Sequence, residues 1–228
     1  MKNILLILAF VILIFNKSYA ASGSGPATQY KVEMQKVELC EDSACATSTV
    51  IGTKIMPVDI ASASAGANVG NYAPTTGLPL GKTFSHLRVT ISRTFTVTGT
   101  VTPDSDTCAT DGGTDMSATQ MLDAGTGTAT SSSMYLINAG SYGASDGTRD
   151  GDVGSSNIDI SYGSPTYAQT MTISGESMLM IYQLTSPYTV GLKSPTIKVS
   201  FNTSKALGAD DTACVMWLNE PMVEISIQ

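Results

Sequence analysis

Residues 87–101 constrain this chain more than any other stretch. The odd positions run Leu87, Val89, Ile91, Arg93, Phe95, Val97, Gly99 and Val101; the even positions run Arg88, Thr90, Ser92, Thr94, Thr96, Thr98 and Thr100. Apolar and polar residues alternating at period two describe a strand with one buried and one wetted face. Thr and Ser suit the wetted face because small and β-branched side chains fit a pleated surface. Only Arg93 interrupts the apolar row. A strand of this length spans about 50 Å, well past the usual strand. The pattern therefore predicts a bend or bulge at Ser92 and Arg93, or one strand crossing between two sheets.

Shorter segments of strand character follow at close spacing. Residues 30–34 and 37–39 alternate on opposite parities, and one extra residue near Gln35 and Lys36 reconciles them as a bulge. Further strands are predicted at 50–51, 54–60, 134–138, 158–162, 167–174, 177–184, 196–202, 214–218 and Met222–Ile227. Residues 21–28 read as a Ser/Gly/Pro linker. The stretch 103–133 is polar, with only 116–122 able to order as a short helix or strand, and 140–156 is a second Gly/Asp loop. Short strands separated by turn residues, without helical periodicity, predict an all-β fold. Its expected form is an antiparallel β-sandwich, Ig-like or jelly-roll-like, with long polar loop insertions.

Residues 1–20 have the form of a cleaved signal peptide. Lys2 supplies the positive start, 4–15 is an unbroken apolar run, and Ser18 and Ala20 take the small-residue positions of a cleavage site. The run is too short for an ordinary spanning helix, so no membrane span is expected after cleavage. Residues 21–228 are expected to form a single β-sandwich domain, which is long enough to bury a sizeable core. The net charge is −7 and the basic residues are scattered, which argues against nucleic acid as a partner. Low charge with abundant Thr, Ser, Gly and Ala fits an exported bacterial β protein, placed in the periplasm, at the cell surface or outside the cell.

Four cysteines in an exported chain imply two disulfides. Local spacing around an acidic turn pairs Cys40 with Cys45, which leaves Cys108 with Cys214. Zinc is disfavoured, because His86 is the only histidine and the Cys40–Cys45 spacing is not that of a zinc knuckle.

Chemistry-bearing patterns are few. Asp146, Thr148, Asp150 and Asp152, with Gly151 at the turn, resemble the first half of an EF-hand-type calcium loop. Thr148 departs from the pattern, as does Asn157 in the place of the bidentate Glu. A solvated acidic turn is the plainer reading of the same residues. Asp104, Asp106, Asp111 and Asp115 form a looser acidic group. The string from Gly143 to Gly147 matches G-x-S-x-G around Ser145, but no histidine follows it and no helix is expected after it. Glu176, Glu220 and Glu224 are the carboxylates a hydrolase would draw on. Tyr135, Tyr142, Tyr162, Tyr167 and Trp217 are the aromatics a carbohydrate-binding module would display.

The reading that unites these features is an exported, non-catalytic structural or adhesion module, of which a polymer subunit is one form. A secreted carbohydrate-binding module and a carboxylate-based hydrolase are the alternatives. The partner expected for a polymer subunit is the chain itself, through edge-strand pairing. In that arrangement residues 28–39 would be donated on the flexible linker before them, or Met222–Ile227 would offer an open edge.

Overall fold

The computed structural model describes residues 22–62, 77–104, 106–115, 122–123, 125–135, 168, 170–174, 176–193, 195–211 and 214–227. Among them there is no helix. The strands, in order, are β1 (Ser22–Gly25), β2 (Ala27–Cys40), β3 (Ser48–Gly52), β4 (Met56–Asp59) and β5 (Thr83–Val101). Five short ones follow: β6 (Cys108–Ala109), β7 (Thr114–Asp115), β8 (Leu122–Asp123), β9 (Gly125–Thr126) and β10 (Ser132–Tyr135). The last six are β11 (Thr170–Ser174), β12 (Ser177–Thr189), β13 (Ile197–Asn202), β14 (Leu207–Asp210), β15 (Val215–Leu218) and β16 (Met222–Ile227). The fold is all-β, and its strands pair antiparallel apart from the short β10–β7 contact.

β5 organises the largest sheet. From Ile91 to Val101 the odd positions are buried and the even ones half-exposed, as the alternation requires. One edge of β5 pairs with β2, from Gly99 opposite Ala27 to His86 opposite Cys40. The other edge pairs with β12 up to Ser92 and with β10 from Thr94 onward. Arg93 marks the handover. Its backbone N–H donates to the Glu176 carbonyl, and the Thr94 N–H is taken by the Ser92 hydroxyl. On the β2 side, Val32 faces Phe95 while Met34 faces Ile91, so Glu33 alone opposes residues 92–94. Gln35 is the extra residue between Met34 and Lys36, and its side-chain oxygen accepts a hydrogen bond from Ser177 across β5. The two bulges lie side by side. They fall where the neighbour of the long strand changes from β12 to β10.

Two smaller sheets complete the fold, one in the order β1–β14–β15–β8 and the other pairing β13 with β16. All three sheets line one core. Phe84, Leu87, Phe95, Val97 and Met134 of the large sheet share it with Leu207, Met216, Val223 and Ile225 of the small ones. Each such side chain stabilises by about 1.5–3 kcal/mol on burial. Phe95 meets Tyr30 edge-on, with ring centroids 5.5 Å apart. Gly99 is the one inner-face position of β5 without a side chain. A Cβ there would sit 2.5 Å from both Leu207 Cδ1 and the Pro26 carbonyl oxygen.

Three expectations are corrected. Residues 22–25, read as a linker, form strand β1; glycine suits positions 23 and 25 because the neighbouring backbone at Pro103 and Thr100 leaves no room for a Cβ, while Ser22 and Ser24 are exposed. The segment 28–39 does not lie at an edge: β2 runs between β5 on one side and β3 and β4 on the other. Finally, the polar stretch after β5 contributes β6 and β8 to the ladders of β5 and β15 instead of only projecting as a loop.

Candidate functional site

Three groups of buried polar residues hold the chemistry of the described chain. The first sits where the turn between β15 and β16 meets the large sheet. Glu220 Oε1 accepts hydrogen bonds from the Tyr182 hydroxyl at 3.0 Å and from the Ala168 N–H at 2.8 Å. The Tyr30 hydroxyl donates to the Asn219 carbonyl at 3.1 Å. The Asn219 side chain in turn accepts from Trp217 Nε1 and donates to the Lys205 carbonyl. Burial, and then the negative charge of Glu220, pushes the pKa of both tyrosines up. They are therefore neutral donors at any physiological pH. The arrangement pins a chain corner onto β2 and β12.

The second group lies on the opposite face of the sheet. Glu38 is 3% exposed. Its Oε2 receives Arg88 Nε at 2.7 Å, and its Oε1 receives Lys36 Nζ at 2.9 Å and the Ser48 hydroxyl at 3.1 Å. Burial alone would raise the carboxyl pKa; the hydrogen bonds and charges of Arg88 and Lys36 outweigh it and hold the pKa down at about 2. This network joins β2, β3 and β5. The sequence signal for it is the presence of Arg88 on an otherwise hydroxyl-lined face.

The third group contains His86. Ser85 Oγ lies 2.8 Å from the Glu41 carbonyl oxygen and 2.7 Å from His86 Nδ1. A hydroxyl has one proton and a carbonyl can only accept. The serine proton therefore goes to Glu41, and His86 Nδ1–H donates to the serine. A histidine in that role does not draw the proton from the hydroxyl, which is what a serine nucleophile needs.

Both disulfides are formed as the spacing predicts. Cys40 and Cys45 have Cα atoms 4.9 Å apart, and Cys108 and Cys214 have theirs 5.2 Å apart. Cys45 and Cys214 each take a left-handed backbone, with φ of 50° and 51°. That conformation is uncommon for a residue other than glycine, and each bridge holds it in place.

The remaining site candidates are dispersed. Glu220 is buried, while Glu176 and Glu224 are exposed on other elements. Trp217 is half-buried with its ring against Gly208, where a Cβ would lie 2.1 Å from Nε1. Asp111 caps its own turn by accepting the Gly113 N–H at 2.8 Å. Asp146, Thr148, Asp150 and Asp152, Ser145, Tyr142, Tyr162 and Tyr167 lie outside the described residues. Among the described residues no group of three or more His, Cys, Asp or Glu is placed to hold a metal ion. No family model, no curated protein and no solved structure matches the chain.

Proposed function

We propose that the chain is exported by a leader at residues 1–20. In this reading, residues 21–228 form a single disulfide-braced β-sandwich, Ig-like or jelly-roll-like. The domain serves as a non-catalytic structural or adhesion module at a bacterial cell surface or outside the cell, in self-paired assemblies. The observation that carries the reading is the pair of internal disulfides, one of them tying β6, which pairs with the end of β5, to the start of β15 in the small sheet. Such bridges persist in an oxidising compartment. The non-catalytic part is supported by the use of Ser85, His86, Glu38 and Glu220 in hydrogen bonds that brace strands and turns.

Cell fractionation with N-terminal sequencing and thiol labelling tests this. The expected product begins at Ala21, carries four unreactive cysteines, and runs in surface extracts as species larger than a monomer. Recovery as a cytoplasmic monomer with its leader attached and its thiols free would overturn the proposal.

A further inference from the structure

We propose that β1 is an exchangeable strand, and that the slot it occupies beside β14 also accepts β1 from a second copy of the chain. The inference rests on the export reading, in which cleavage after Ala20 leaves β1 at the new N-terminus. It replaces the expected donor, 28–39, with a different strand.

The seat of β1 is well defined. Ser22, Gly23, Ser24 and Gly25 pair with Asp210, Ala209, Gly208 and Leu207. A Cβ on Gly25 would come within 2.4 Å of the Thr100 carbonyl oxygen, and one on Gly23 within 2.7 Å of Pro103 Cα. The slot between β14 and the end of β5 therefore takes a strand with glycine at alternate positions, which is the sequence of β1. Fit alone would not imply exchange. The second observation is how little holds β1 to its own chain. Ser22 and Ser24 are exposed, and β1 inserts no apolar side chain into the core. Its docking consists mainly of backbone hydrogen bonds, each worth about 1 kcal/mol net.

A hinge follows directly. Pro26 is exposed and cannot donate to a ladder. Beyond it, Ala27 faces Gly99 while Gln29 faces Thr98, so Thr28 is an exposed extra residue. A turn at 26–28 gives up the Ala27–Gly99 pair and the Ala27 N–H bond to the Thr203 carbonyl, and leaves the pairing from Gln29 onward in place. When β1 leaves, the outer edge of β14 is uncovered, and the backbone from Leu207 to Asp210 loses its pairing partner. An open edge of this kind recruits a strand. A copy of β1 from another chain restores the same contacts. Closed and exchanged forms then differ only in hinge strain and in the entropy of association, and high local concentration favours exchange.

Cysteine trapping tests the idea in the mature chain. Ser22 and Asp210 face each other across the pair, so one chain carries Ser22→Cys and another carries Asp210→Cys. The two are mixed at high concentration in a thiol–disulfide buffer that leaves the native bridges intact. Exchange predicts a 22–210 cross-linked heterodimer, at least about tenfold more abundant than the product of Asp210→Cys mixed with Ser48→Cys on the remote β3 edge. A chain carrying both substitutions should cross-link internally when dilute and between chains when concentrated. Internal cross-linking at every concentration, with no heterodimer above the control, would overturn the proposal. Surface polymers without a 22–210 link would also overturn it while leaving the assembly reading standing on another edge. A 22–210 link in purified protein that remains monomeric in cells would support exchange and remove the assembly reading.

Discussion

Around β5, pairing is long and the inner face is apolar. β2 follows it from Gly99 to His86, Phe95 and Val97 are buried, and the Glu38 network closes the other face. In the sheet of β1, β14, β15 and β8, the longest ladder pairs four residues. There the close fit of Gly23, Gly25 and Gly208 replaces much of the side-chain packing, and the Cys108–Cys214 bridge anchors the start of β15. The difference shows two routes to an ordered sheet. The first accumulates apolar burial along a continuous ladder. The second brings backbones together and relies on a covalent tie to limit the entropy of the unfolded chain. The second route also leaves its outermost strand weakly held.

The bridge supplies the sharpest contrast. Replacing Cys108 and Cys214 by Ala should cost about 4–5 kcal/mol, because the closed loop spans 106 residues in sequence. Replacing Cys40 and Cys45, only 5 apart, should cost about 2 kcal/mol. Urea denaturation of the two double variants measures both. Equal losses would mean that the small sheet does not depend on its tie.

Next comes the apolar route. Phe95→Ala should cost about 3–5 kcal/mol by deleting a buried ring that packs edge-on against Tyr30. The same denaturation assay reads it, and a loss near 1 kcal/mol would show that the core of the large sheet collapses readily around the gap.

The charged face of the large sheet should respond to acid. The carboxyl pKa of Glu38 is lowered on folding from 4.5 to about 2. Its contribution is therefore present above pH 4.5 and is lost as pH falls through about 2. The amount is about 2–3 kcal/mol, the lower figure allowing for solvent screening at Lys36. Melting curves from pH 6 to pH 2 (roughly the window set by these two values) should fall less steeply in Glu38→Gln than in the parent. Parallel curves would show that other carboxylates dominate.

The smallest effect probes the glycine packing. Gly208→Ala sets a methyl group against the Trp217 ring and should cost about 2 kcal/mol through overpacking. A neutral result would mean that the ring shifts freely, and that the small sheet is held by its bridge alone.

Much of the large sheet was legible in the sequence because its signal is side-chain burial. The alternation of β5 predicts its buried face, the surplus length predicts an irregularity at Ser92 and Arg93, where the register with β2 shifts, and the change of parity in 30–39 predicts the bulge at Gln35. Cysteine spacing predicts both disulfides. The polar clusters were less legible: Lys36 and Ser48 lie near Glu38 in sequence, but Arg88 is 50 residues from Glu38, Glu220 is 38 from Tyr182 and Tyr30 is 189 from Asn219, and only register brings these together.

Strands β1 and β14 had no such signal. Ser22–Gly25 and Leu207–Asp210 carry no sustained alternation; a neighbouring backbone dictates Gly23 and Gly25, and the Trp217 ring dictates Gly208. Partner choice was equally hidden. β15 and β16 are separated by one corner, yet β15 pairs with β14 and β8 while β16 pairs with β13. Periodicity records which face of a strand avoids water, so the sequence alone determined the strands that have such faces. Which edges meet, and where backbones come close enough to exclude a Cβ, depends on contacts between distant residues, and only the tertiary structure decided them.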